Sequence, residues 1–169
     1  MWVVALFFSS TAASAADVAK IGVLDLQKIL ETSNSGKTIQ AELKKEKEKM
    51  ESDLKAKGEE IENIGKRLER EAMVMSKEMR EEKEREQRIK LGDFKTLQQK
   101  YRSELQKLEV ELMNQLKNDV NELVEEIGKN EGYLLIINKF GVLYSPGSID
   151  ITDQLIQKLD AKVSKRKGQ

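Results

Sequence analysis

The chain of 169 residues contains no cysteine and no histidine. The first absence excludes disulfides, thiol nucleophiles and zinc–thiolate sites. The second removes the commonest general base and metal ligand. Most enzyme mechanisms are disfavoured on this ground, and no catalytic, cofactor-binding or metal-ligating residue is assigned. Proline occurs once and aromatic residues make up 5% of the chain, so a large conventional core is not expected. Net charge is also missing, with 30 Lys+Arg against 30 Asp+Glu. What the chain has in abundance is charge of both signs, 36% of all residues, against roughly 25% in an ordinary globular domain. Finely mixed signs argue against disorder through like-charge repulsion. Together with the Glu, Lys and Leu content they point to long, solvent-exposed helices.

Trp2 to Phe8 is an apolar run, and Ala13-Ser14-Ala15 before Ala16 follows the small-x-small pattern of a cleavage site. These are the later parts of a secretory signal peptide over residues 1–15. No Lys or Arg precedes Lys20, so the basic front part is expected upstream of Met1. The run is far short of the roughly 20 residues needed to span a bilayer.

Lys20 to Leu26 reads as a short strand, Gln27 to Thr32 as a helical turn or two, and Ser33-Asn34-Ser35-Gly36 as a turn in which Ser35 can cap a helix. Between Lys37 and Lys129 there is no proline. In the second half of that region Phe94, Leu97, Tyr101, Leu105, Leu108, Leu112, Leu116, Val120, Leu123 and Ile127 advance 33 residues in nine steps. The spacing is an eleven-residue repeat, which keeps a stripe on one face of a nearly straight helix. Ile39, Met50, Ile61 and Ala72, with Leu43 and Leu54 beside them, repeat it in the first half. Two helices sharing a period bury each other's stripes as a hairpin. The pattern lapses at Met73-Val74-Met75-Ser76, where Ser76 is a good N-cap followed by acidic residues. The arm is therefore placed at 36–130 with its tip near 73–76. Tyr133 to Asn138 reads as a strand, Lys139-Phe140-Gly141 as a turn, and Val142 to Ser145 as a second strand completing a β-hairpin. Thr152 is placed to cap a last helix from Asp153 to about Lys162, ahead of a basic tail.

The fold expected is mostly α with a small β body, a coiled-coil hairpin arm projecting from a short-stranded sheet. Segments 16–35 and 131–169 form that body. It is small and leaves open sheet edges, and oligomerisation is the physical remedy. Ile21, Val23, Leu24, Leu134, Ile136, Val142 and Leu143 are expected to build the assembly. Met73, Val74, Met75 and Met79 suit adaptable apolar contacts, either with a partner or in sealing the hairpin end. Ser35-Gly36-Lys37-Thr38 looks like the end of a phosphate-binding loop, but Glu31 stands where that motif needs glycine. The Glu/Lys-rich arm surfaces read as solvated helix faces with i,i+4 pairs, not as metal sites.

In order along the chain, Ile21-Gly22-Val23-Leu24-Asp25-Leu26-Gln27, Gly36-Lys37, the Glu/Lys arms, Tyr133–Asn138 and Asp150-Ile151-Thr152-Asp153 before Leu155, Ile156 and Leu159 resemble the Skp/OmpH family of periplasmic chaperones. The resemblance implies a homotrimer whose strands share one barrel-like body, with three hairpins around a cavity. It implies that unfolded outer-membrane proteins are held there without ATP. Well-known members are strongly basic, whereas this chain is neutral. No lipopolysaccharide site is carried over, and binding to lipopolysaccharide or an anionic membrane surface stays open. No nucleic-acid partner is expected. Two other readings stand beside this one: a periplasmic structural or adaptor coiled coil, and a prefoldin-like cytosolic holdase.

Overall fold

The computed structural model describes residues 19–167, with side chains through Lys165. Residues 1–15, expected above to be a signal peptide, and the end of the basic tail lie outside the described side chains. The elements in chain order are β1 (Ile21–Leu24), α1 (Leu26–Thr32), α2 (Asn34–Glu71), α3 (Lys77–Glu131), β2 (Leu135–Asn138) and α4 (Thr152–Lys167), with two short 3-10 turns at Lys139–Gly141 and Gly147–Ile149. The protein is thus mostly helical, with a long antiparallel hairpin rising from a small sheet.

The hairpin follows the apolar stripe. From Phe94 to Ile127 every residue of the eleven-residue repeat is buried or half-buried. Burial deepens toward the body: Leu112, Leu116, Val120, Leu123 and Ile127 are fully inside. α3 has 55 residues against 38 in α2, or about 80 Å against about 57 Å. Its outer part pairs with α2, with Ile39, Leu43 and Met50 on the facing side. Its root extends past the start of α2 and packs instead on α1 and α4, where Ile29, Leu155 and Leu159 are wholly buried with it. Polar links stitch the outer arm. Lys90 Nζ pairs with Glu60 at 2.7 Å, and Tyr101 OH donates to Asp53 at 2.8 Å. That bond holds the Tyr101 proton, raising the phenol above its ordinary pKa.

The helix ends obey capping chemistry. Ser76 Oγ accepts from Met79 N and opens α3, while Gly132, at φ 70°, closes it; only glycine takes that left-handed position without strain. Residues 72–76 form the link at the tip. Ser33, not Ser35, caps α2: its buried Oγ accepts from Gly36 N. Thr152 does not cap α4. It is the first residue of the helix, and its buried Oγ1 accepts from Asp25 N at 3.0 Å. Gly92, in the middle of α3, faces open space where a Cβ would stand. Glycine there lowers helix stability, so Gly92→Ala is expected to stabilise the protein by about 0.5–1 kcal/mol. Thermal unfolding at matched concentration checks this; an unchanged or lowered midpoint would contradict it.

The sheet corrects one expectation. Tyr133–Asn138 and Val142–Ser145 do not form a hairpin. β2 instead pairs in parallel with β1, with Ile21 opposite Leu135 and Leu24 opposite Asn138. On the other side of β1, Val23 bridges Asp150, and Ile151 N donates to Val23 O at 2.9 Å. β1 is therefore the centre of the body, and β2 is an edge. Val142–Ser145 is irregular and follows a 3-10 turn in which Asn138 Oδ1 accepts from Phe140 N.

Asp150 anchors the junction beside β1. Burial acts to raise its pKa, but hydrogen bonds from the side chain and backbone of Thr152, with Lys139 and Lys28 nearby, outweigh that and lower it. A carboxylate depressed in the folded state stabilises the fold above its unfolded pKa, and loses that contribution as pH falls through the folded value. Asp150→Asn is expected to destabilise by about 1–2 kcal/mol near neutrality. The gap to wild type should close below about pH 4, where the unfolded carboxyl protonates. Urea midpoints across pH 3–7 test this; a gap independent of pH would contradict it.

Candidate functional site

Large apolar side chains are exposed mainly at the two ends of the molecule. At the body these are Ile21, Leu134, Leu135, Phe140, Leu143 and Tyr144; at the tip they are Met73, Val74 and Met79. Ile89, Leu91 and Val110 are spaced singly along α3.

The body patch arises from local geometry. In β2 the side chains alternate across the sheet. Ile136 turns inward onto the core cluster, while Leu135 stays half exposed. Leu134, just before the strand, is held by its N–H to Lys20 O at 2.8 Å, and its side chain points into solvent. The 3-10 turn then carries Phe140 outward, and the irregular segment beyond it leaves Leu143 and Tyr144 exposed. Clustered exposed apolar groups mark interaction surfaces, and the outer side of β2 pairs with no described strand.

The structure divides the residues expected to build the assembly. Val23 and Leu24 are buried, and Ile136 packs half-buried against the chain's own core. Ile21, Leu134 and Leu143 are exposed, and Val142 is half-buried outside any strand. Sequence reasoning missed Leu135, Phe140 and Tyr144. Leu135 lies in the expected strand 133–138 without being singled out, and Phe140 in the expected turn 139–141. The available signal was the density of large apolar residues from 133 to 144, too high for one buried face.

At the tip, Met73 is 98% exposed and Met79 55%. Met75 differs: it turns inward and lines a small cavity of about 130 Å³ with Ile64 and Leu68, walled by Arg67, Lys83 and Glu86. The four residues expected at the tip therefore split into Met73, Val74 and Met79 facing solvent and Met75 sealing the hairpin. Deeper in the arm, a cleft of about 300 Å³ runs along Ile61, Phe94 and Leu97 under the Lys90–Glu60 pair. On its rim Lys90 pairs with Glu60, and Lys57 lies 4.0 Å from Asp53, so the cleft reads as a seam of the hairpin.

Other charges are paired at helical spacing, as in Lys66–Glu62 and Arg80–Glu84. The Lys66 ammonium beside Glu62 and the Lys83 ammonium beside Glu86 hold those two carboxyls below their ordinary pKa. At the root, Lys162 bonds Glu122 and Asp119, which raises its pKa. Residues 35–38 are the first turns of α2 and not a loop, so they do not form a phosphate cradle. Among the described residues no group of three His, Cys, Asp or Glu is placed to hold a metal, and no helix is long and apolar enough to cross a membrane.

Comparison with known proteins places this geometry. A sequence model of the family described as outer membrane protein (OmpH-like) matches residues 20–159. The chaperone protein Skp of Photorhabdus luminescens is 24% identical over 156 residues, covering 92% of this chain and 93% of that protein. Skp of Photorhabdus laumondii matches to the same extent. Among solved structures, an OmpH-like outer membrane chaperone of Caulobacter crescentus superposes with a TM-score of 0.81 at 18% identity, over 93% of this chain and 92% of that one.

Proposed function

The chain belongs to the OmpH-like family of outer membrane proteins, and from that premise we propose that it is a holdase chaperone of the periplasm that keeps unfolded outer-membrane proteins from aggregating. The relatives named Skp support the chaperone role. The observation that carries the mechanism is the placement of exposed apolar groups at the body edge and the arm tip, with isolated ones between.

The two ends do different work. The body patch of Ile21, Leu134, Leu135, Phe140, Leu143 and Tyr144 joins copies of the chain. The open edge of β2 and the 142–145 segment complete a sheet across subunits, and homotrimer assembly follows the family. The hairpins then stand around a shared space. There the singly spaced Ile89, Leu91 and Val110, with the tip residues Met73, Val74 and Met79, offer weak apolar contacts in a wet, charged surround. Each contact buries little area, so a client is held without being forced into a fold. Opposite charges paired along the arms screen one another, so capture acts at short range and depends weakly on salt. Binding and release run without ATP, and a client leaves for an acceptor that binds it better.

Light scattering of an outer-membrane β-barrel protein diluted from urea tests this. A stoichiometric amount of the assembled protein, in nucleotide-free buffer, is expected to suppress most of the scattering. No suppression, or suppression only with nucleotide, would overturn the proposal.

A further inference from the structure

We propose that the arm tip is a methionine-oxidation site, at which a hypohalous acid or a peroxide converts the tip's apolar contact surface into a polar one. The chain has no cysteine, so thioethers are its only side-chain sulfurs. Of its six methionines, three fall within seven residues at the tip: Met73, Met75 and Met79. Their surroundings are graded. Met73 is 98% exposed, Met79 is 55% exposed, and Met75 lies against Ile64 and Leu68 in the tip cavity. Met50, inside the arm, is 8% exposed. Oxidation follows exposure, so an oxidant meets the tip first and the hairpin seam last.

The chemistry is complete with one co-reactant. A hypohalous acid gives its oxygen to the thioether sulfur, which loses two electrons, and halide and a proton leave. A peroxide transfers oxygen in the same way, with water as the leaving product. No C–S bond breaks. The sulfoxide is reduced back by a dithiol, which becomes a disulfide as the oxygen departs as water. Oxidation replaces a flexible apolar group by a strongly polar one. At Met73 and Met79 this alters the surface without disturbing the fold, because neither side chain is buried. The turn is held independently, by the Ser76 cap and by the Met75 N–H to Glu71 O bond.

The consequence for client holding rests on the function proposed above; the oxidation order and the change in surface polarity do not. The experiment treats the full mature protein with limiting hypochlorite and maps sulfoxides by peptide mass. Met73 and Met79 are expected to oxidise ahead of Met75, and faster than Met50 by about tenfold or more. Retention on a hydrophobic-interaction column should fall, with helical circular dichroism unchanged. Suppression of barrel aggregation should weaken in parallel, whereas in a Met73→Leu/Met79→Leu variant hypochlorite should change suppression little relative to that variant's own untreated sample. Equal oxidation of Met50 and Met73, unchanged column retention, or equal loss of holding in the leucine variant would each overturn the proposal. If the untreated protein holds no client, the function proposed above fails, and column retention alone then decides the oxidation site.

Discussion

Gly36→Ala is expected to collapse the junction between α1 and α2. A Cβ at position 36 would lie 2.0 Å from the carbonyl oxygen of Leu30 and 2.6 Å from its carbon. Those atoms are backbone and cannot turn away as a side-chain end can. α1 would have to move off α2, and Ile29, which is wholly buried, would leave the core with it. The Ser33 cap on Gly36 N, at 3.0 Å, would open too. Overpacking and a lost cap together are expected to destabilise by about 3–4 kcal/mol. In a chain of this size that lowers the midpoint by about 10 °C. Gly92→Ala, in open space on the same kind of helix, is the matched control. Thermal unfolding at fixed concentration compares the two. A Gly36→Ala protein as stable as wild type would show that the elbow has room that the structure denies it.

Leu143→Asp is expected to dissociate the assembly. Leu143 is fully exposed in the single chain, so its replacement takes nothing from the chain's own packing. In the proposed shared body the same position is buried against a neighbouring copy. A carboxylate there would be desolvated without a partner, a penalty of several kcal/mol. Dissociation should tighten the need for protein concentration by at least about a hundredfold, which is about 2.7 kcal/mol. Suppression of client aggregation should disappear with it, since single hairpins enclose no space. Tyr144→Asp should act in the same direction. Ile89→Asp, on the outer arm, should leave the oligomer intact. If Leu143→Asp assembles like wild type, the 142–145 segment lies outside the interface and the body patch has another use.

These two positions show what the sequence could and could not reveal. The hairpin was legible because its stripe is long and regular: residues from Phe94 to Ile127 repeat at 3.67, and burial in the structure follows them. The tip was legible through the lapse in that stripe and through Ser76. The elbow was not. Ser33 and Ser35 are equivalent as local cap candidates, and only the packing of α1 on α2 selects Ser33. Glycine 36 looked like turn chemistry, whereas its role is close approach between helices. The sheet was misread for a related reason. Two β-rich runs separated by Lys139-Phe140-Gly141 have the local form of a hairpin. β2 instead finds β1, more than a hundred residues earlier, because strand preference expresses fit to a packed surface and not to the nearest neighbour in sequence. That parallel pairing leaves Val142–Ser145 without a strand partner among the described residues.

The apolar groups of the body were partly legible. Ile136 and Leu134 are expected together in the assembly, whereas the structure turns Ile136 onto the chain's own core and leaves Leu134 exposed. Leu143 is named for the assembly as part of a strand that does not form, while Phe140 and Tyr144, which lie beyond β2 where no period applies, are not named. Their exposure is a property of the tertiary path, and so is the distinction at the tip between Met75, which seals, and Met73, which does not. The neutral charge balance was read at once from composition. Its structural meaning, opposite charges paired along one helix or across the hairpin, follows from the helical spacing of those charges.

The most direct measurement is sedimentation velocity of residues 16–169 mixed with an outer-membrane barrel protein freshly diluted from urea. A single soluble species is expected, holding one homotrimer and one unfolded client, in buffer without nucleotide. The chain sedimenting as a monomer while the client pellets would contradict both the shared body and the holding of clients between its arms.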